Sequence, residues 1–112
     1  MFECSNGKII ITRGDSAALK VLLTMGNGEA YTMDSGDVLT LTVKKRPEDG
    51  VMMKVTSDTE VIKLTPADTK LLDVGNCCFD IELKTKSGDV FTVVGLKDAL
   101  STNMVVLPEV TD

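Results

Sequence analysis

Between Cys77 and Lys86 the chain alternates without a break. Cys77, Phe79, Ile81 and Leu83 fall on one side of an extended backbone, and Cys78, Asp80, Glu82 and Lys84 fall on the other. Successive side chains of a pleated strand point in opposite directions, so a period of two marks a strand with one buried face. Val38 to Arg46 carries the same signature, with Leu39, Leu41 and Val43 facing in and Thr40, Thr42 and Lys44 facing out. A helix of ordinary length needs a 3.6-residue period, which neither stretch offers.

The rest of the chain repeats this grammar in shorter words. Lys8 to Thr12 is β-branched and reads as a first strand, broken by Arg13-Gly14-Asp15-Ser16. Leu19, Val21, Leu23 and Met25 share the inner face of the next segment, which Gly26-Asn27-Gly28-Glu29 closes as a turn. Residues 30–36 are irregular, with Tyr31 and Met33 dipping into the core. After the turn Pro47-Glu48-Asp49-Gly50, residues Val51, Met53 and Val55 lead a fourth strand. Ser57-Asp58-Thr59 links it to a fifth, with Ile62 and Leu64. Ser87-Gly88-Asp89 makes a hairpin into Val90–Leu96, which is apolar on both faces and is expected to be central or covered. Met104–Leu107 reads as a last strand after the polar break Ser101-Thr102-Asn103.

One helix is expected, from Pro66 to Leu72. Thr65 caps it, Pro66 fits its first position, Asp68 suits its positive end and Gly75 is the stop. Ser-Gly-Asp-Val occurs at 35–38 and again at 87–90, each time as turn chemistry ahead of a strand rather than as a repeat. No linker divides the chain, so residues 1–112 read as a single domain. Seven to eight short antiparallel strands with one short helix predict an all-β, immunoglobulin-like β-sandwich.

The chemistry of enzymes is thin. The 112 residues include no histidine, which removes the Ser-His-Asp and Cys-His arrangements in their usual form. Three cysteines, two of them adjacent as Cys77-Cys78, match neither zinc-ligand spacing nor a disulfide framework, and they favour a reducing compartment. Cys77 is read as core and Cys78 as its outward neighbour. No phosphate loop or calcium loop is present, and the acidic turn Asp34-Ser35-Gly36-Asp37 is read as solvated. Arg13-Gly14-Asp15 spells an integrin-binding tripeptide, but glycine for a turn and aspartate for an Asx-type bond account for it. The expectation is no catalytic residue, no cofactor and no metal.

Twelve basic residues against 17 acidic ones leave a net charge of −5, the wrong sign for a phosphate backbone or an anionic membrane surface. Nucleic acid and membrane are therefore excluded as partners. Residues 1–7 lack the basic start and apolar run of a signal peptide, and no apolar stretch approaches a membrane span. With four aromatic residues and no tryptophan, a carbohydrate platform is the weaker alternative, a ligand-binding β-sandwich module.

Two stretches carry a resemblance. One is Ile9-Ile10-Ile11-Thr12-Arg13-Gly14-Asp15-Ser16. The other is Ile62-Lys63-Leu64-Thr65-Pro66-Ala67-Asp68-Thr69 through Gly75 to Phe79-Asp80-Ile81-Glu82-Leu83, with Leu41-Thr42-Val43-Lys44-Lys45 between them. Together they resemble small immunoglobulin-like domains of phages and prophages of Gram-positive bacteria, such as the N-terminal module of baseplate upper proteins. The resemblance implies a structural or adaptor protein of a phage tail or baseplate, docked to other virion proteins or to copies of itself, in the virion or the bacterial cytoplasm. It carries over no binding residue. The residues themselves place the interface on apolar positions left over by the alternation: Val90, Val94 and Leu96 of one strand, and Met104, Val105, Val106 and Leu107 of the tail. The tail either pairs within its own sheet or adds to a neighbour's edge.

Overall fold

The computed structural model describes residues 2–5, 7–96 and 101–110. Nine strands and one helix lie within them: β1 (Phe2–Ser5), β2 (Lys8–Thr12), β3 (Ala17–Lys20), β4 (Val38–Lys44), β5 (Val51–Ser57), β6 (Val61–Leu64), α1 (Pro66–Thr69), β7 (Gly75–Lys84), β8 (Val90–Val94) and β9 (Met104–Leu107). They form two layers. The larger sheet runs β1-β2-β9-β7-β4-β5 with β8 also paired to β7, and the smaller is the pair β3-β6. The result is an all-β fold of two stacked sheets.

The alternating segments supply the core. Leu39, Leu41 and Val43 of β4 are fully buried, facing the same way as Cys77, Phe79, Ile81 and Leu83 of β7. Ile9 and Ile11 extend that layer on one side and Met53 on the other, while Leu19, Ile62, Leu64 and Leu72 close it from the opposite layer. Tyr31 and Met33 pack against this core, half-buried. The chain changes layers between β5 and β6, where the Ser57 hydroxyl donates to the Val61 carbonyl at 2.7 Å and so holds the corner.

Several expectations need correction. Not every pair is antiparallel: β2 and β9 run parallel, Ile9 opposite Met104 and Thr12 opposite Leu107. These strands lie at opposite ends of the chain, so no tight hairpin forces a reversal between them. β9 is also paired on its other side, antiparallel, with Gly75–Cys77 of β7. Both edges of the tail are thereby occupied within the chain. The helix is shorter than its pattern: Thr65 and Asp68 form the reciprocal capping box, but α1 stops at Thr69. The Arg13 guanidinium takes the following carbonyls, of Lys70 at 2.8 Å and Leu72 at 3.1 Å, and fixes the exit of the chain. Gly75, with φ of +119°, opens β7 instead of ending the helix. Met25, placed on an inner face by the alternation, is 47% exposed, and of Val51, Met53 and Val55 in β5 Met53 alone is fully buried. Cys78 is buried although it lies on the outer face. It shares a depression there with Pro47, Gly95 and Leu96, and its Sγ donates to the Lys44 carbonyl.

β7 is ten residues long and has two partners along one edge, β9 near its start and β8 near its end. Phe79 falls between them. Asn103 fills that gap with its side chain: Oδ1 accepts the Phe79 N–H at 2.8 Å and Nδ2 donates to the Phe79 carbonyl at 2.9 Å. A primary amide thus replaces a peptide group of a missing strand, and the buried ladder stays satisfied.

Candidate docking surface

β8 pairs with β7 and, among the described residues, with no other strand. Among the described residues β8 is an edge strand, and because the second layer is only two strands wide the first half of β8 is left bare while Val93 and Val94 pack partly against the core. Phe91 lies beside core residue Leu83 in the ladder, yet it is 54% exposed. The chain between β3 and β4 runs past this bare face. It closes a bend at Gly26–Glu29 through Met25 N–H to the Glu29 carbonyl, 2.8 Å, and leaves Leu22 82% exposed. Between the two runs a groove of about 500 Å³, walled by Leu22, Met25, Tyr31, Leu83, Phe91 and Val93.

The open edge of β8 has a defined polarity. Thr85 donates to the Asp89 carbonyl at 2.8 Å, which makes 85/89 a hydrogen-bonded pair of the hairpin. Such pairs alternate along an antiparallel ladder. Leu83 and Phe91 therefore exchange bonds, while Val90 and Thr92 turn N–H and C=O away from β7. A strand edge of this kind is a template for another strand, and proteins normally blunt it with charge or proline. The edges of β3, β5 and β6 do so: β3 carries Lys20, β5 Lys54 and β6 Lys63. β8, Val-Phe-Thr-Val-Val, carries no charge.

The residues expected at the interface are divided by the structure. Val90 is exposed, on the outer face. Val94 and Leu96 are half-buried, Val94 against the core and Leu96 in the depression over Cys78. Met104 and Val106 are core residues, 2% and 1% exposed, and Val105 and Leu107 are half-buried on a strand paired on both sides. Met104, Val105, Val106 and Leu107 are therefore withdrawn as interface residues: their strand is already used to close the sheet. Phe91, Leu22 and Met25 belong to the surface instead. The doubled apolar faces of the 90–96 segment signalled Phe91; nothing local signalled Leu22.

At one end of the groove the solvated acidic turn turns out to be a clamp. Asp37 is 2% exposed; its carboxylate accepts the Tyr31 hydroxyl at 2.6 Å and the N–H groups of Asp34 and Lys86, both at 2.9 Å. The two Ser-Gly-Asp-Val turns thus meet, the aspartate of the first holding the hairpin that launches β8. The Tyr31 bond, then the two backbone bonds, hold the Asp37 carboxyl below its ordinary range. The same bond, with burial and the acid's charge, pushes Tyr31 up to about 12.

Elsewhere the reactive groups are spent on structure. Arg13 is engaged by Glu109 at 2.8 Å besides the two carbonyls, which removes it from any integrin-type display. Burial pushes the Cys77 thiol up to about 11 and raises Cys78 as well, the opposite of a nucleophile's need. Among the described residues no group of three His, Cys, Asp or Glu side chains is gathered as for a metal, and no helix is long and apolar enough to cross a membrane. No protein-family model, curated protein or solved structure matches the chain.

Proposed function

We propose that this chain is a non-catalytic structural or adaptor protein of a phage or prophage tail or baseplate, working by protein–protein contact. The observation that carries the contact reading is the uncharged open edge of β8 beside an apolar groove, where β3, β5 and β6 each carry a lysine. Strand addition gives such a surface its mechanism: main-chain bonds at Val90 and Thr92 supply affinity, and a side chain seated beside Phe91 supplies selectivity. The phage setting rests on the resemblance of residues 8–96, and it places the chain in the virion or the cytoplasm of the infected cell.

The test is mass spectrometry of purified phage particles released from the bacterium that encodes the chain. Recovery in fixed proportion to the tail proteins is expected. Particles that lack it, from cells that make it in quantity, overturn the proposal.

A further inference from the structure

We infer that Asn27 is a self-modification site, at which the side-chain amide is lost to attack by the main chain of the following residue. Asparagine is a thermolabile residue, and the step needs water alone as co-reactant. The Gly28 nitrogen gives its proton to hydroxide and adds to Asn27 Cγ. The Cγ–Nδ2 bond then breaks, ammonia leaves and a cyclic succinimide closes. Water opens that ring at either carbonyl, leaving aspartate or isoaspartate where asparagine stood.

Three features of the Gly26–Glu29 bend favour the attack. Gly28 has no Cβ to hinder the approach, and it stands in open space at φ of +87°. Asn27 and both its neighbours are exposed, so water reaches the reacting atoms. The Glu29 N–H donates to Asn27 Oδ1 at 3.0 Å. Negative charge gathers on that oxygen as the Gly28 nitrogen adds, so the donor already stands where it stabilises the tetrahedral intermediate. One contact opposes the attack: the Gly28 N–H donates to the Met25 carbonyl at 2.9 Å. Releasing one exposed hydrogen bond slows the step only about fivefold. The Glu29 donor, of similar strength in the same solvent, offsets it.

Asn103 and Asn76 lack these features. Asn103 is 8% exposed, its Oδ1 and Nδ2 are both bonded to Phe79, and Met104 follows it. Asn76 lies within β7, and the attacking nitrogen there would be that of buried Cys77. The consequence at Asn27 falls on the bend. Either product adds one negative charge to the chain's −5, two residues from Met25 in the groove wall. Isoaspartate also inserts a methylene into the main chain, which breaks the turn between the Met25 carbonyl and the Gly28 N–H. The chemistry is the same whether or not the groove takes a partner.

The test incubates the full chain at mildly alkaline pH, once folded and once unfolded in urea, and follows it by tryptic peptide mass spectrometry. The peptide of residues 21–44 holds Asn27 and no other side-chain amide, so its change of mass reports this site alone. Chromatography separates its aspartate and isoaspartate forms. Both products are expected to accumulate in the folded protein, within about tenfold of the unfolded rate, while the folded chain keeps Asn103 intact. A peptide 21–44 that stays unmodified in the folded protein but converts in urea would show that the bend protects Asn27, and would overturn the inference. Conversion to aspartate with no isoaspartate would mean direct hydrolysis by water, and would overturn the attack by Gly28.

Discussion

Replacing Asn103 by alanine removes a side chain that exists to stand in for backbone. Its amide satisfies one buried N–H and one buried C=O, both of Phe79, whose own side chain is 3% exposed in the core. Alanine preserves the main-chain bonds of residue 103, from Asn103 N–H to the Cys77 carbonyl and from Ile9 N–H to the Asn103 carbonyl. The loss is thus confined to two orphaned groups. Each unsatisfied buried group costs about 1–3 kcal/mol, and partial entry of water brings the pair to about 2–4 kcal/mol. With a urea slope of ~1.5 kcal/mol/M the unfolding midpoint falls by about 2 M. Urea denaturation followed by circular dichroism reads this directly. Asn103→Leu fills the space without bonding and is expected to be at least as damaging. A leucine variant with the wild-type midpoint would show that the site needs volume alone, and would refute the claim that the amide completes the β7 ladder.

Four further expectations are independent of that one. The chain has a single tyrosine and no tryptophan, so absorbance near 295 nm follows Tyr31 alone; the native midpoint is expected near 12 and should return toward 10 in Asp37→Ala. Because Tyr31 is raised in the folded state, its contribution is present below pH 10 and lost as pH rises through about 12. Asp37 is depressed, so its contribution is present above the ordinary carboxylate range and lost as pH falls through its folded value; an acid unfolding curve that Asp37→Asn leaves unchanged would contradict this. Thr69→Val is nearly isosteric but strips a fully buried hydroxyl that donates to the Asp15 carbonyl at 2.7 Å and accepts Gly14 N–H at 3.0 Å, and it should cost about 2 kcal/mol in thermal unfolding. In a Cys4→Ser background, Cys77 and Cys78 are expected to react with a thiol reagent only at the rate of unfolding, and rapid labelling of the native protein would contradict their burial.

Local periodicity was a sound guide wherever a strand is covered on one face and wet on the other. Val38–Lys44 and Cys77–Lys84 place their inner residues as the alternation says, and the Thr65–Asp68 capping box starts the helix where its residues demand. What periodicity does not contain is the width of the opposite layer. It leaves Phe91 uncovered on a nominally inner face and buries Cys78 on a nominally outer one, because Leu96 returns across it. Nor does it contain partner choice. The parallel pairing of Ile9 with Met104 joins segments 95 residues apart, and no turn word encodes it. The polar residues were least legible. Asn103 looks like a loop residue and Asp37 like a solvated turn acid until Phe79, Tyr31 and Lys86 are brought to them. The contact surface was legible as excess apolar residues along 90–96, but its extension through Leu22 and its separation from β9 were not.

Amide hydrogen exchange along β8 at low micromolar concentration tests most directly whether this strand is an unfinished edge. The account predicts an alternation within five residues: Phe91, bonded to Leu83, exchanges slowly, while Val90 and Thr92, facing outward, exchange about as fast as a loop. Uniform protection of all three amides in the dilute monomer would mean that the edge is already covered within one chain, and the contact surface would have to be sought elsewhere.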